Sequence, residues 1–200
     1  MSAPTRPDSP VRLEALIGAL KGRGILTEDE LTARQAQTDC ASPEIGARMV
    51  ARAWLDPEWR RLLLSDGSAA AEAMGVSMAG APPLGVLEDM PRRHHLVVCT
   101  LCSCYPRAVL GYPPHWYKSF AYRARAVRDP RGVLAEWGTV LPKGVEVRVV
   151  DSTADYRWMV LPLRPEGTDG WSEDRLAAIV TRDALVGVAL PQVTPRTVAV

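Results

Sequence analysis

The stretch V-C-T-L-C-S-C-Y-P-R, residues 98–107, decides how this chain is read. It holds Cys99, Cys102 and Cys104, three of the four cysteines in a chain of 200 residues. Thiolates are soft ligands, and three in so short a segment point to a metal. The C-x-C pair has a geometric consequence of its own. With only the small Ser103 between them, the sulfurs of Cys102 and Cys104 and the intervening backbone nitrogens can face one ion. An amide nitrogen binds only after losing its proton, which demands a strongly acidic ion such as a trivalent transition metal. Spacing alone leaves two other readings open. A structural zinc would take the three cysteines and one of His94, His95 or His115. A redox dithiol would leave the third, closely set cysteine unexplained.

Outside the cluster, composition narrows the field. The chain has 24 basic and 23 acidic residues and a formal charge of +1, which gives no reason to expect a nucleic-acid or membrane-surface binder. No apolar run approaches the ~18–20 residues that span a bilayer, and the opening M-S-A-P-T-R-P-D-S-P has no apolar signal core. A soluble cytoplasmic protein is the expectation. Cys40 stands far from the cluster and reads as a buried or partly buried free thiol.

Residues 1–10 carry three prolines and read as a disordered tail. Residues 11–75 read as a helical N-terminal arm or region. Its signals are apolar spacing over 11–22, a capping box at Thr27 and Glu30, and the cap-plus-proline pairs Ser42-Pro43 and Asp56-Pro57. A short Ala-rich helix over 68–74 closes it. Residues 76–200 read as an α+β domain that carries the cysteine loop. A short strand near Val86 and Leu87 comes first, and H-H-L-V-V then enters the cluster as a buried strand. A helix starts near Pro114 and a second follows Pro130. V-E-V-R-V-V and Y-R-W-M-V-L-P-L then show period two, as strands do. Ser172 caps a last helix. The expected fold class is α+β, a helical arm followed by a layered α-β-β-α domain.

V-C-T-L-C-S-C-Y-P closely resembles the metal-binding motif of the nitrile hydratase alpha subunit. V-L-G-Y-P-P-H-W-Y-K-S, Y-R-A-R-A-V-R-D-P-R-G-V-L, V-L-P-L-R-P-E-G-T-D-G-W-S-E and V-T-R-D-A-L-V-G-V resemble that family's segments in the family's order. The upstream L-E-D-M-P-R-R-H-H-L-V-V fits as well, so the resemblance covers residues from about 45 to 190. It implies a hydro-lyase that converts a nitrile to its amide. It implies a metal held by Cys99, Cys102, Ser103 and Cys104, with Cys99 as the axial thiolate. Cys102 would be oxidised to a sulfinic acid and Cys104 to a sulfenic acid. The amides of Ser103 and Cys104 would complete the ligand plane, and Cys102, Ser103 and Cys104 would carry the catalysis. Thr100, where the iron type has serine, resembles the cobalt type, which implies non-corrin Co(III) with Fe(III) as the alternative. The implied partners are a beta subunit, as one chain or two, and a metallochaperone or activator that inserts the metal.

The sequence departs from the family at Tyr105-Pro106-Arg107-Ala108, where Y-P-W-P is usual. That widens the expected substrates from small aliphatic nitriles to a large one such as toyocamycin. The gamma subunit of thiocyanate hydrolase, a related cobalt enzyme, is the nearest competing reading, and Tyr105 favours nitrile hydratase over it. A zinc-stapled interaction module without catalysis is the competing reading of another class. Arg92, Arg93 and His94 read as structural or interface residues, and Arg123, Arg125, Arg128 and Arg131 as a solvated or partner-facing surface. Trp116, Tyr117 and Tyr122 read as core or interface.

Overall fold

The structure is a computed structural model and describes residues 9–193. The chain divides into two compact units, one ending at Cys40 and one beginning at Ala41. The sequence pattern instead changes character near residue 75, where helices give way to strands. No helix among the described residues is long and apolar enough to cross a membrane.

The first unit holds α1 (Ser9–Gly22) and α2 (Glu28–Asp39). The tail expected over residues 1–10 lies outside the described residues, except for Ser9 and Pro10, which begin α1. The capping box forms at α2: the Thr27 hydroxyl accepts from the Glu30 N–H at 3.2 Å, and the Glu30 carboxylate accepts from the Thr27 N–H at 2.8 Å. Cys40, expected to be at least partly buried, is exposed and free. It closes a mainly polar helix, and nothing apolar in α2 gives it a core to enter.

The second unit opens with α3 (Pro43–Leu55), α4 (Pro57–Ser65) and α5 (Gly67–Ala73). Pro43 starts α3, although the Ser42 side chain makes no cap bond. Asp56 accepts from the N–H groups of Glu58 and Trp59 and so caps α4. One face of α3 buries Met49, Val50 and Ala53. Next come β1 (Leu84–Glu88) and β2 (Arg93–Val98), then α6 (Arg107–Leu110), α7 (His115–Lys118), α8 (Phe120–Arg128) and α9 (Pro130–Glu136). β3 (Glu146–Asp151), β4 (Arg157–Leu161), α10 (Glu173–Ala177) and a 3-10 turn (Ala184–Val186) complete the unit. The class is α+β, as the sequence predicts.

The single helix expected from Pro114 is two. Ser119 adopts an extended ψ of 140°, and its hydroxyl accepts from the Tyr122 N–H, which ends α7 and caps α8. α10 is also shorter than its apolar pattern, ending at Ala177. α6 and the 3-10 turn have too few residues to show a period and were not legible.

β3 and β4 follow one another in the chain but do not pair. β1 runs parallel to β4, with Val86 opposite Met159, and β2 runs parallel to β3, with Val98 opposite Asp151. Parallel pairing requires a long crossover, and here α6 to α9 supply much of it. β2 is buried along nearly its whole length, as a strand covered on both faces should be. It ends at Val98, and the next residue is Cys99. The core therefore delivers the cysteine loop from a rigid, dry strand.

Candidate metal centre

Cys99, Cys102 and Cys104 converge. Their sulfurs all lie within 4.8 Å of one another, with Cys99 to Cys102 at 3.4 Å and Cys102 to Cys104 at 3.1 Å. A disulfide would need ~2.05 Å, so these are three free thiols gathered at one point. Cys99 and Cys104 are buried, and Cys102 is exposed.

Three devices hold the loop. The Cys102 N–H turns back onto the Cys99 sulfur at 3.2 Å. Asp151, at the end of β3, accepts from the Thr100 N–H at 3.0 Å and from the Thr100 hydroxyl. The fully buried Tyr117 donates its phenol to the Cys104 carbonyl at 2.8 Å. Close by, Tyr122 donates to the Val97 carbonyl at 2.7 Å, and the Ser152 N–H donates to the Val98 carbonyl at 2.7 Å. The Arg123 guanidinium reaches the Thr100 carbonyl at 3.4 Å. Neither the Asp151 clamp nor the Tyr117 anchor was identified from the sequence. Asp151 reaches the loop only through the β2–β3 register.

Electrostatics separates the thiols. Hydrogen bonds from Cys104, Cys99 and the Ser103 backbone bring the Cys102 thiol down to about 7. Burial first, then the neighbouring Cys102 and Cys99, push Cys104 up to about 12, with the Arg157 guanidinium pulling the other way. The backbone N–H of Cys104 adds a smaller pull in the same direction on the Cys102 thiol. Soft sulfurs at this spacing fit a transition ion.

The histidines are elsewhere. Among the described residues no histidine, aspartate or glutamate joins the thiol group. His94 and His95 are buried against Asp89, and His115 is exposed. A three-cysteine zinc site completed by histidine therefore lacks its fourth ligand. Tyr117 and Tyr122 are core residues, and Trp116 packs edge-on to Tyr122 at 4.9 Å and to Trp137 at 4.4 Å. Arg125 pairs with Glu136, and Arg131 donates to the carbonyls of Leu141, Pro142 and Val145. Arg107 starts α6, is exposed, and lies over the Tyr112 ring at 5.5 Å.

Comparison with known proteins gives a consistent picture. A family model described as nitrile hydratase, alpha chain, matches residues 8–189. The gamma subunit of thiocyanate hydrolase from Thiobacillus thioparus is 49% identical over 181 residues, which is 85% of this chain and 74% of that one. The alpha subunit of the low-molecular weight cobalt-containing nitrile hydratase from Rhodococcus rhodochrous is 48% identical over 181 residues, covering 90% of this chain and 87% of its own. Among solved structures, recombinant thiocyanate hydrolase with partially modified cobalt centres superposes with a TM-score of 0.87 at 45% identity. The match covers 94% of this chain and 92% of that one.

Proposed function

Because the chain belongs to the nitrile hydratase alpha-chain family, we propose that it is the metal-holding subunit of a nitrile hydratase. The observation that carries this reading is the meeting of three sulfurs within 4.8 Å on one clamped loop. Cys99, Cys102 and Cys104, with the backbone nitrogens of Ser103 and Cys104, would hold the ion, Co(III) first and Fe(III) as the alternative. When bound, a trivalent ion supplies Lewis acidity that polarises a C≡N bond and lowers the pKa of water.

The remaining chemistry lies with the chain. Cys102 is the exposed thiol of the three, so an oxidant such as dioxygen or peroxide reaches it most readily. It is the one carried to the sulfinic rung. Cys104, sheltered and held by Tyr117, stops at the sulfenic rung. The Cys104 sulfenic oxygen either takes the proton from a water that adds to the nitrile carbon, or adds to that carbon itself, after which a water cleaves the S–O–C link, restoring the sulfenic oxygen and releasing the imidic acid. The nitrile nitrogen gains a proton, and the imidate tautomerises to the amide. Full turnover by Cys104→Ser would eliminate the Cys104 oxygen from both roles.

An oxidised, deprotonated claw carries excess negative charge, which must be offset where it is buried. Arg157 is one source, since its field already acts on Cys104 and its Nη1 is buried without a hydrogen-bond partner. We assign the rest to a beta subunit. Leu101, inside the loop, is 87% exposed, and Phe120 is 79% exposed. Arg123 joins them, lying over the Phe120 ring and reaching Thr100. Apolar side chains exposed beside reactive thiols mark a surface for another chain to cover.

A second reading is thiocyanate hydrolase, and Arg107 favours it. This exposed cation, in place of the family's usual aromatic, suits an anion such as thiocyanate better than a neutral nitrile. The deciding experiment is elemental analysis of the copurified complex, with the mass of the cysteine peptide and turnover of small nitriles, toyocamycin and thiocyanate. Cobalt, with two added oxygens on Cys102 and one on Cys104, supports the claw, and the substrate assay selects between the readings. Zinc with unmodified thiols overturns both. Arg107→Trp should raise the ratio of nitrile to thiocyanate turnover.

A further inference from the structure

The buried cluster of Asp89, His94 and His95 serves no step of the chemistry above, yet its hydrogen bonds constrain it tightly. His94 is 3% exposed and Asp89 4% exposed. The two ring nitrogens of His94 meet different groups: Nε2 lies 2.7 Å from the Gly187 carbonyl, and Nδ1 lies 3.0 Å from Asp89 Oδ2. A carbonyl oxygen can only accept, so Nε2 must carry a proton. The contact at Nδ1 needs a second proton. Asp89 Oδ1 already accepts the His95 N–H at 2.7 Å and faces His95 Nδ1 at 3.0 Å. A carboxylate receiving that many donors is best satisfied ionised, which places the second proton on His94.

We propose that Asp89 and His94 form a proton-held latch, a buried imidazolium–carboxylate pair that ties the C-terminal turn at Gly187 to β2 and so fixes the strand that presents Cys99. The fit around the latch is tight. Gly187 has φ +81°, and a Cβ there would meet the His95 carbonyl oxygen at 1.9 Å. His94 lies five residues before Cys99 on a strand that ends at Val98. Among the described residues, Asp89 is the only carboxylate within ion-pair distance of His94. The residue opposite His94 on β3 is Val147, while Arg93 beside it pairs with Glu146 at the surface. On the C-terminal segment, Arg182 and Asp183 pair with each other. Burial pulls the His94 pKa down, but the bond and charge of Asp89 together with the bond to Gly187 raise it overall, in line with the geometry.

Histidine side-chain 1H–15N spectra of the full-length chain test this directly, because the sequence has only three histidines. At pH 8, above the ordinary histidine range, His94 should show both ring nitrogens protonated. A neutral His94 tautomer at pH 8 would overturn the latch. Asp89→Asn keeps the shape and removes the charge. Its His94 should turn neutral at pH 8, and the Gly187 and Val188 amides, bonded to Ala184 and Asp183, should exchange at least tenfold faster. Amides of α3 should not change. Unaltered exchange at Gly187 would mean that the pair ties nothing down. If Asp89→Asn fails to fold, the wild-type pH titration of His94, with exchange at Gly187 followed across the same range, still decides the matter. Acceleration must track loss of the His94 proton.

Discussion

Replacing Tyr117 with phenylalanine isolates the link between core and metal loop. The ring is fully buried and packs edge-on against Tyr105 at 5.0 Å, so phenylalanine keeps the packing and opens no cavity. What is lost is the bond from the phenol to the Cys104 carbonyl at 2.8 Å, together with the phenol's contact with the Ser152 side chain. That carbonyl lies between buried Cys104 and buried Tyr105, where water has no ready access. A net hydrogen bond of ~1 kcal/mol, plus part of the cost of an orphaned buried acceptor, gives a loss of about 2 kcal/mol. For a chain of this size that lowers Tm by ~4–8 °C. Tyr122→Phe is the control. It removes the comparable 2.7 Å bond to the Val97 carbonyl, on the strand before the loop. Urea unfolding should show similar losses for the two variants. Metal content and the mass of the cysteine peptide should separate them: Tyr117→Phe should bind less metal and oxidise Cys104 less uniformly, and Tyr122→Phe should stay near wild type. A Tyr117→Phe protein within 0.5 kcal/mol of wild type, a threshold of about half a typical net bond, would refute the anchor. Equal metal effects in both variants would refute its specificity.

Gly187→Ala should be among the most damaging small substitutions in the chain, because it combines a positive φ with a Cβ 1.9 Å from the His95 carbonyl oxygen. A loss of ~3 kcal/mol or more is expected, read by urea unfolding. Asp151→Ala removes both acceptors for Thr100 at an exposed site where water can substitute, so stability should fall by only ~1 kcal/mol or less. Metal retention, measured by elemental analysis after dialysis against chelator, should fall far more. Stability should also depend on pH through the latch. The His94 contribution is complete below its unfolded value of ~6.5 and is lost as pH rises through its raised folded value. The Asp89 carboxyl is held below its usual range despite burial, by bonds from His94 and His95. Its contribution is complete above ~3.9 and is lost as pH falls through the depressed value. The urea midpoint should therefore show a plateau between those limits, and Asp89→Asn should flatten both sides of it.

What could be read from the sequence was local. The capping box at Thr27 and the proline starts of α3 and α4 each follow from a few neighbouring residues, and each is present. The thiol spacing was legible for the same reason, since three positions on one loop cannot lie far apart. The failures share a cause as well. Ser119 looks like an ordinary residue within one helix until its hydroxyl competes for a backbone N–H. The usual behaviour of cysteine predicts burial for Cys40, but the polar helix that ends there gives it nowhere to be buried. β3 and β4 were recognisable as strands from period two, but no local pattern tells a strand that its partner lies dozens of residues upstream.

That non-local pairing is what turns a cysteine-rich loop into a shaped site. Spacing alone leaves the sulfurs free to face any direction. The β2–β3 register places Asp151 opposite Val98, and from there its carboxylate reaches Thr100. The break at Ser119 sets α7 apart from α8, and the residues on its two sides take separate duties: Tyr117 holds Cys104 and Tyr122 holds Val97. The loop is thus fixed from upstream, from within and from downstream, by groups in three different segments, none of which carries a metal ligand. The consequence is unequal exposure of chemically identical side chains. Cys99 and Cys104 face the core, and Cys102 faces out beside Leu101. The scaffold imposes that inequality by itself, before any metal or oxidant arrives.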